Sequence, residues 1–212
     1  MVQVLYSSIC RENHARLLKE YFSLLDQVAK DRTLRCRRWQ DAQLTLLGRL
    51  LIIKGLEISG LKVGLDNLLY SPFGKPYFDM SNCVFFNVSH SEEIVVCAYC
   101  KHDVGIDIEY RKAINIEDFR FQMSPNEWQR VQNSGDKITS FYKYWTEKEA
   151  VIKAVGMGLS IPLTSFEVVE GYTQLENRKF FVHNLHIKDG YECAVSCSEK
   201  IQPFVEAQKI VF

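Results

Sequence analysis

The sequence predicts an α+β fold of two similar lobes, each a long helix packed on a small antiparallel sheet, related by a pseudo-twofold axis. Two internal matches predict it. Val95-Val96-Cys97-Ala98-Tyr99-Cys100 aligns with Tyr191-Glu192-Cys193-Ala194-Val195-Ser196 at a shift of about 96 residues. Ile52-Ile53-Lys54 matches Val151-Ile152-Lys153 at about 99, and each helical run precedes a Gly-Leu pair (Gly55-Leu56, Gly158-Leu159) that reads as a helix stop with an apolar return. The halves divide as 1–102 and 103–212, and no linker composition separates them, so they are expected to pack tightly.

The elements follow in order. Val2 to Tyr6 reads as a first strand, and Arg11 to Ala29 as one amphipathic helix with Leu17, Leu18, Tyr21, Phe22 and Leu25 inward. A longer helix covers Arg35 to Ile53, and Ser71-Pro72-Phe73-Gly74-Lys75-Pro76 is a turn. Strands are predicted near 84–88, 94–100 and 104–110. Ile116 to Phe121 starts a helix, and Ser124 is the N-cap of the next, with Pro125 first and Glu127 in the capping-box position. After a polar loop, residues 139–155 form a helix that Gly156 stops, and strands fill the tail from Phe166.

Two segments carry chemistry. In Gly105-Ile106-Asp107-Ile108-Glu109, a strand puts Asp107 and Glu109 on one face and Ile106, Ile108 and Tyr110 on the other. In Trp145-Thr146-Glu147-Lys148-Glu149-Ala150-Val151-Ile152-Lys153, a helix puts Trp145, Glu149 and Lys153 on one face, with Glu147 turned away into solvent. Three carboxylates and an ammonium suit a hard cation and a phosphoanhydride, since Mg²⁺ takes only one or two carboxylates beside waters and phosphates. A third segment, Phe86-Asn87-Val88-Ser89-His90-Ser91, lies just upstream.

With these segments, and with Phe73-Gly74-Lys75-Pro76 and the run from Tyr144 to Leu159, the chain resembles the 4′-phosphopantetheinyl transferases, in their large single-chain surfactin-synthetase-activating (Sfp-type) branch. The motifs stand in the family's order and spacing from about residue 30 to 165. The resemblance implies two lobes with the active site in the cleft between them. It also implies Mg²⁺-dependent transfer of 4′-phosphopantetheine from coenzyme A to a serine of an apo acyl or peptidyl carrier protein, releasing adenosine 3′,5′-bisphosphate. Asp107, Glu109 and Glu149 match the metal-binding acids, and Lys153 would neutralise the diphosphate. Lys75, Ser89 and His90 match contacts to the 3′-phosphate. Glu127 aligns with a proposed general base, although a capping-box glutamate is an equal reading. Among Arg32, Arg35, Arg37 and Arg38, Arg35 is favoured for the coenzyme A phosphates, with a solvated helix face as the alternative. Phe121, Met123 and Trp128 are candidates for carrier docking, or else core.

One departure stands out. Leu44 occupies a position where the family commonly has an arginine, at the nucleotide end of coenzyme A. It alone favours a competing reading, a catalytically degenerate module that binds coenzyme A or a carrier. The three acids and Lys153 oppose that reading. No Walker-type loop or kinase signature points to another phosphotransferase.

Composition sets outer bounds. The chain has 212 residues with 26 basic and 26 acidic side chains, so no charge excess calls for nucleic acid. No apolar run reaches membrane-span length and no signal core opens the chain, so a cytoplasmic protein is expected, and a monomer because two fused halves already provide the cleft. The seven cysteines are then free thiols. A zinc site from Cys97, Cys100, Cys193 and Cys197 is disfavoured, because in a strand Cys97 and Cys100 point to opposite faces.

Overall fold

The computed structural model describes residues 1–79, 84–200 and 206–212. The first half runs β1 (Gln3–Ser8), α1 (His14–Tyr21), α2 (Gln27–Arg35), α3 (Trp39–Ile58), the short β2 (Leu69–Tyr70) and β3 (Pro76–Tyr77), β4 (Phe85–Ser91) and β5 (Ile94–Cys100). The second runs β6 (Val104–Tyr110), α4 (Pro125–Gln132), α5 (Lys137–Val155), β7 (Tyr172–Leu175), β8 (Arg178–Leu185), β9 (Tyr191–Cys197) and β10 (Ala207–Lys209). Helices and mainly antiparallel sheets make the fold α+β.

The single helix expected over 11–29 is two. Leu25 takes an extended backbone, and the Asp26 carboxylate caps α2 by accepting from Ala29 N–H at 3.1 Å. Asp26 also holds the Arg49 guanidinium at 2.7 Å and the Tyr70 hydroxyl at 2.8 Å. A side chain that competes this well for backbone and cation ends one helix and starts the next. Gly55, expected to stop α3, lies inside it. Added there, a Cβ would sit 1.9 Å from the Tyr99 ring, so the glycine makes room for the tyrosine of β5. The Tyr99 hydroxyl donates to the Leu51 carbonyl in the same helix. Gly156 does stop α5, at φ +82°. The helix expected from Ile116 is a 3₁₀ segment, Ile116–Gln122.

One sheet has the order β10-β1-β5-β4, with β10 parallel to β1 and the rest antiparallel. The other is antiparallel, β6-β9-β8-β7. Alternation along the strands builds layers. Val95, Cys97 and Tyr99 of β5 face Leu47, Leu51 and Leu56 of α3. Ile94, Val96, Ala98 and Cys100 face a core shared with Ile106 and Ile108 of β6 and Cys193, Val195 and Cys197 of β9. Ala194 of β9 faces α5 through Ala150, Val151 and Ala154. Cys97 and Cys100 therefore do point to opposite faces, and the Sγ of Cys100 lies 3.4 Å from that of Cys197. Six cysteines are free thiols, and Cys83 lies outside the described residues.

The sheets also meet side by side, at the edge strands β4 and β6. Their backbones do not ladder there. Instead the Ile106 N–H donates to Asn87 Oδ1 at 2.9 Å, and the Tyr110 N–H to Ser91 Oγ at 3.0 Å. Side chains thus satisfy donors that an open sheet edge leaves unpaired.

Candidate active site

The site hangs on this seam. Gly105 opens β6 beneath α5, where a Cβ would lie 2.1 Å from the Ala150 carbonyl oxygen and 2.3 Å from the Ala154 nitrogen. Only glycine permits so close an approach. Two residues on, Asp107 meets the helix: its Oδ1 lies 2.6 Å from Lys153 Nζ and accepts from Ser89 Oγ at 2.8 Å, while Lys153 also donates to Ser89 at 2.9 Å. Asp107 is 3 % exposed, and its Oδ2 is buried without a hydrogen-bond partner among the described residues. Glu109 stands on the same face and accepts from Ser91 Oγ at 2.9 Å.

The acids feel one another. Burial, then the Asp107 charge, pushes the Glu109 carboxyl above its ordinary value, with Glu149 adding to the rise and Ser91 and Lys153 opposing it. Burial and Asp107 likewise raise Glu149, against Lys153. Three carboxylates therefore share a field that one ammonium only partly neutralises. As they stand, no three His, Cys, Asp or Glu side chains among the described residues are grouped to hold a metal ion. The donor chemistry nonetheless fits a hard cation: carboxylate oxygens, mutual repulsion that a cation relieves, and the orphaned Asp107 Oδ2.

The remaining candidates separate into those near this centre and those engaged elsewhere. His90 is exposed beside Ser89. Partial burial, then Arg32 and Lys153, holds its imidazole below the usual value, opposed by Asp41 and Asp107. Arg32 is therefore one of the charges felt at His90. Arg35 is exposed and its Nε donates to the Asp31 carbonyl at 3.0 Å. Lys75 Nζ donates to the carbonyls of Lys153 (2.7 Å), Val104 (3.1 Å) and Ala154 (3.2 Å), fastening the β2–β3 turn to the end of α5. Burial pulls its pKa down to about 8.

Glu127 is 0 % exposed. It forms the capping box: its Oε2 accepts the Ser124 N–H at 2.9 Å, and Ser124 Oγ accepts the Glu127 N–H at 3.1 Å. The same Oε2 lies 2.8 Å from Lys148 Nζ, and Oε1 has no partner among the described residues. Lys148 also donates to the Phe166 carbonyl at 2.8 Å and to that of Leu163. Glu147, expected in solvent, is buried instead and accepts from Asn184 Nδ2 at 2.7 Å, because β8 covers that side of α5. Of the docking candidates only Phe121 is on the surface, 89 % exposed, whereas Met123 is buried and Trp128 packs on the same cluster. Leu44 is 5 % exposed in the core under α3, packed with the leucines of that helix.

Compared with known proteins, the chain is 33 % identical over 204 residues to the 4′-phosphopantetheinyl transferase gsp of Aneurinibacillus migulanus, covering 92 % of this chain and 85 % of that one. The chain belongs to the 4′-phosphopantetheinyl transferase superfamily, in its Sfp-type branch. The family model described as "4′-phosphopantetheinyl transferase superfamily" matches residues 103–196, which hold β6, α5 and the acids. The transferase Sfp of Bacillus subtilis strain 168 is 30 % identical over 182 residues, 79 % of this chain and 81 % of its own. A second Bacillus subtilis 4′-phosphopantetheinyl transferase is 32 % identical over 190 residues, 81 % of this chain and 83 % of that one.

For a transferase of this family, reading the sequence by motif overlooked Asn87, Ser91 and Lys148. The first two were legible as Asn87, Ser89 and Ser91 at alternate positions of one strand, a polar face on an otherwise apolar edge. Lys148 sat inside a recognised motif, but its burial depends on the 163–166 segment that folds over it.

Proposed function

We propose that this transferase moves 4′-phosphopantetheine from coenzyme A to a serine of an apo acyl or peptidyl carrier protein in a Mg²⁺-dependent reaction that releases adenosine 3′,5′-bisphosphate. The carrying observation is the Lys153–Asp107–Ser89 triad, set with Glu109 and Glu149 at the junction of the two sheets. Asp107, Glu109 and Glu149 would hold the cation, which when bound withdraws charge from the diphosphate.

The chain's own residues do the rest. Lys153 starts paired with Asp107, and an incoming diphosphate offers its ammonium a second anion at the same place, stabilising the charge that develops as the leaving group departs. His90 is offered to the 3′-phosphate, with Arg32 reinforcing it electrostatically and Arg35 within the same basic cluster, and Ser89, whose proton is held by Asp107, joins only by giving up that bond. Lys75 belongs to this reading too, although engaging a phosphate requires it to release three carbonyls. Glu127 is assigned as the base for the serine hydroxyl through its unpartnered Oε1. Being fully buried, it serves as base only when the N-terminus of α4 opens to the carrier.

In this reading the chain acts as a cytoplasmic monomer whose lobes, 1–102 and 103–212, are related by a pseudo-twofold axis. The order strand, long helix, hairpin occurs as β1–α3–β4–β5 and again as β6–α5–β8–β9, which supports that relation. Among the described residues no helix is long and apolar enough to cross a membrane. Leu44, the one feature that favoured a degenerate binding module, is a packed core residue, which weighs against reading it as a lost phosphate contact.

Intact-protein mass spectrometry of apo acyl and peptidyl carriers, incubated with the protein, coenzyme A and Mg²⁺, tests the proposal. The expected result is a gain of one phosphopantetheinyl group, lost in Asp107→Ala and Glu149→Ala. Unmodified carriers with the wild-type protein would sink it.

A further inference from the structure

Two serines, two residues apart on β4, face two acids, two residues apart on β6. Ser89 Oγ donates to Asp107 Oδ1 at 2.8 Å, and Ser91 Oγ donates to Glu109 Oε2 at 2.9 Å. Each serine thereby ties down one oxygen of a carboxylate and leaves the other untied. For Asp107 the untied oxygen is Oδ2, buried and without a partner among the described residues.

Ser91 is itself fixed. Its Oγ accepts the Tyr110 N–H at 3.0 Å, so its own proton is free to point at Glu109. Asn87 sets the register at the other end of the seam by accepting the Ile106 N–H at 2.9 Å. Asn87 and Ser91 thus accept backbone donors that a ladder would pair, at the two ends of the stretch that carries the acids, and Ser89 between them ties the Asp107 side chain. Glu109 needs such a restraint. It is partly buried beside Asp107 and Glu149, whose charges repel it, and without a donor its side chain would turn toward water.

We propose that Ser91 is a positioning residue for the transfer: it holds Glu109 by one carboxylate oxygen so that the other is presented, beside Asp107 Oδ2, to the divalent cation. This rests on the reading that these acids bind the cation. Hydrogen-bond partners one step behind metal ligands commonly set affinity by about 10- to 100-fold.

The test is direct titration with Mn²⁺, free ion counted by electron paramagnetic resonance, in the presence of coenzyme A. Wild type is compared with Ser91→Ala, Ser91→Thr, Glu109→Gln and Asp107→Ala, each checked for thermal unfolding without metal. Ser91→Ala should weaken Mn²⁺ binding about tenfold, and Ser91→Thr, which keeps the hydroxyl, should restore it. Carrier modification by Ser91→Ala should fall at limiting metal and recover at saturating metal. If Ser91→Ala binds Mn²⁺ like wild type while Asp107→Ala does not, the inference fails and the proposed function stands. Equal weakening in Ser91→Ala and Ser91→Thr would make Ser91 a packing residue and overturn it as well. Wild-type binding that Asp107→Ala leaves unchanged would remove the metal reading itself, and the inference with it.

Discussion

Glu109 and Glu149 set a pH response for the site. Glu109 and Glu149 have folded-state pKa values above the ordinary 4.5, so between that value and the raised ones the native state binds more protons than the unfolded chain. Stability contributed by these groups is then highest in acid and falls as pH rises through that window. Glu149→Gln should lose less stability than wild type between acid and neutral pH in denaturant titrations, and a divalent cation should narrow the gap. Glu127 is a buried carboxylate held by a buried ammonium. Glu127→Gln leaves Lys148 without its counter-ion, and breaking such a pair costs about 3–5 kcal/mol. If Glu127 acts only in the capping box and the ion pair, whatever fraction remains folded should keep its kcat. A loss of kcat in folded protein would identify the base.

Elements bring those residues together through positions that tolerate no substitution by size. Gly105→Ala would drive a methyl into the backbone of α5, where no side chain can move aside. We expect destabilisation of about 3 kcal/mol, at the upper end for overpacking, with Asp107 displaced from Lys153 and transfer lost in the surviving folded fraction. Leu44→Arg should also destabilise, by about 3 kcal/mol, because it places an unpaired cation in the core under α3. Restoring the arginine common in the family would then lower thermal stability and leave coenzyme A affinity no better, as urea melts and calorimetry would show. The interrupted helix near the N-terminus teaches the same lesson from the other side. The periodicity of residues 11–29 was visible, but Asp26 is recruited by Arg49 and Tyr70, which lie far along the chain.

At the scale of the whole molecule, neither half closes its own core. Ile106, Ile108 and Val195 of the second half pack against Ile94, Val96 and Ala98 of the first. The C-terminal strand β10 returns to pair with β1, and Phe212 meets Tyr21 edge-to-face with ring centroids 6.4 Å apart. Residues 103–212 expressed alone should therefore expose a continuous apolar face and behave as a molten or aggregating fragment, seen as dye binding and loss of near-ultraviolet dichroism. A cooperative, soluble fragment would show that the halves are independent domains.

The sequence by itself determined the local elements and the faces on which the candidate residues stand. Alternation put Asp107 and Glu109 opposite Ile106 and Ile108, helical spacing put Glu149 and Lys153 on one face, and the Ser124–Glu127 box formed as spelled. These are short-range properties of backbone geometry, fixed by side-chain order alone. Tertiary structure decided what each polar group touches. Lys75 spends its donors on the carbonyls at the end of α5, Glu147 is bonded to Asn184 of β8, and Leu44 is buried. Ser91 gained its role only when the edge of one sheet came to lie along the edge of the other. For the polar groups the physical reason is common: a flexible or buried polar side chain bonds to whatever the fold brings within about 3 Å, and that neighbour is set by distant parts of the chain.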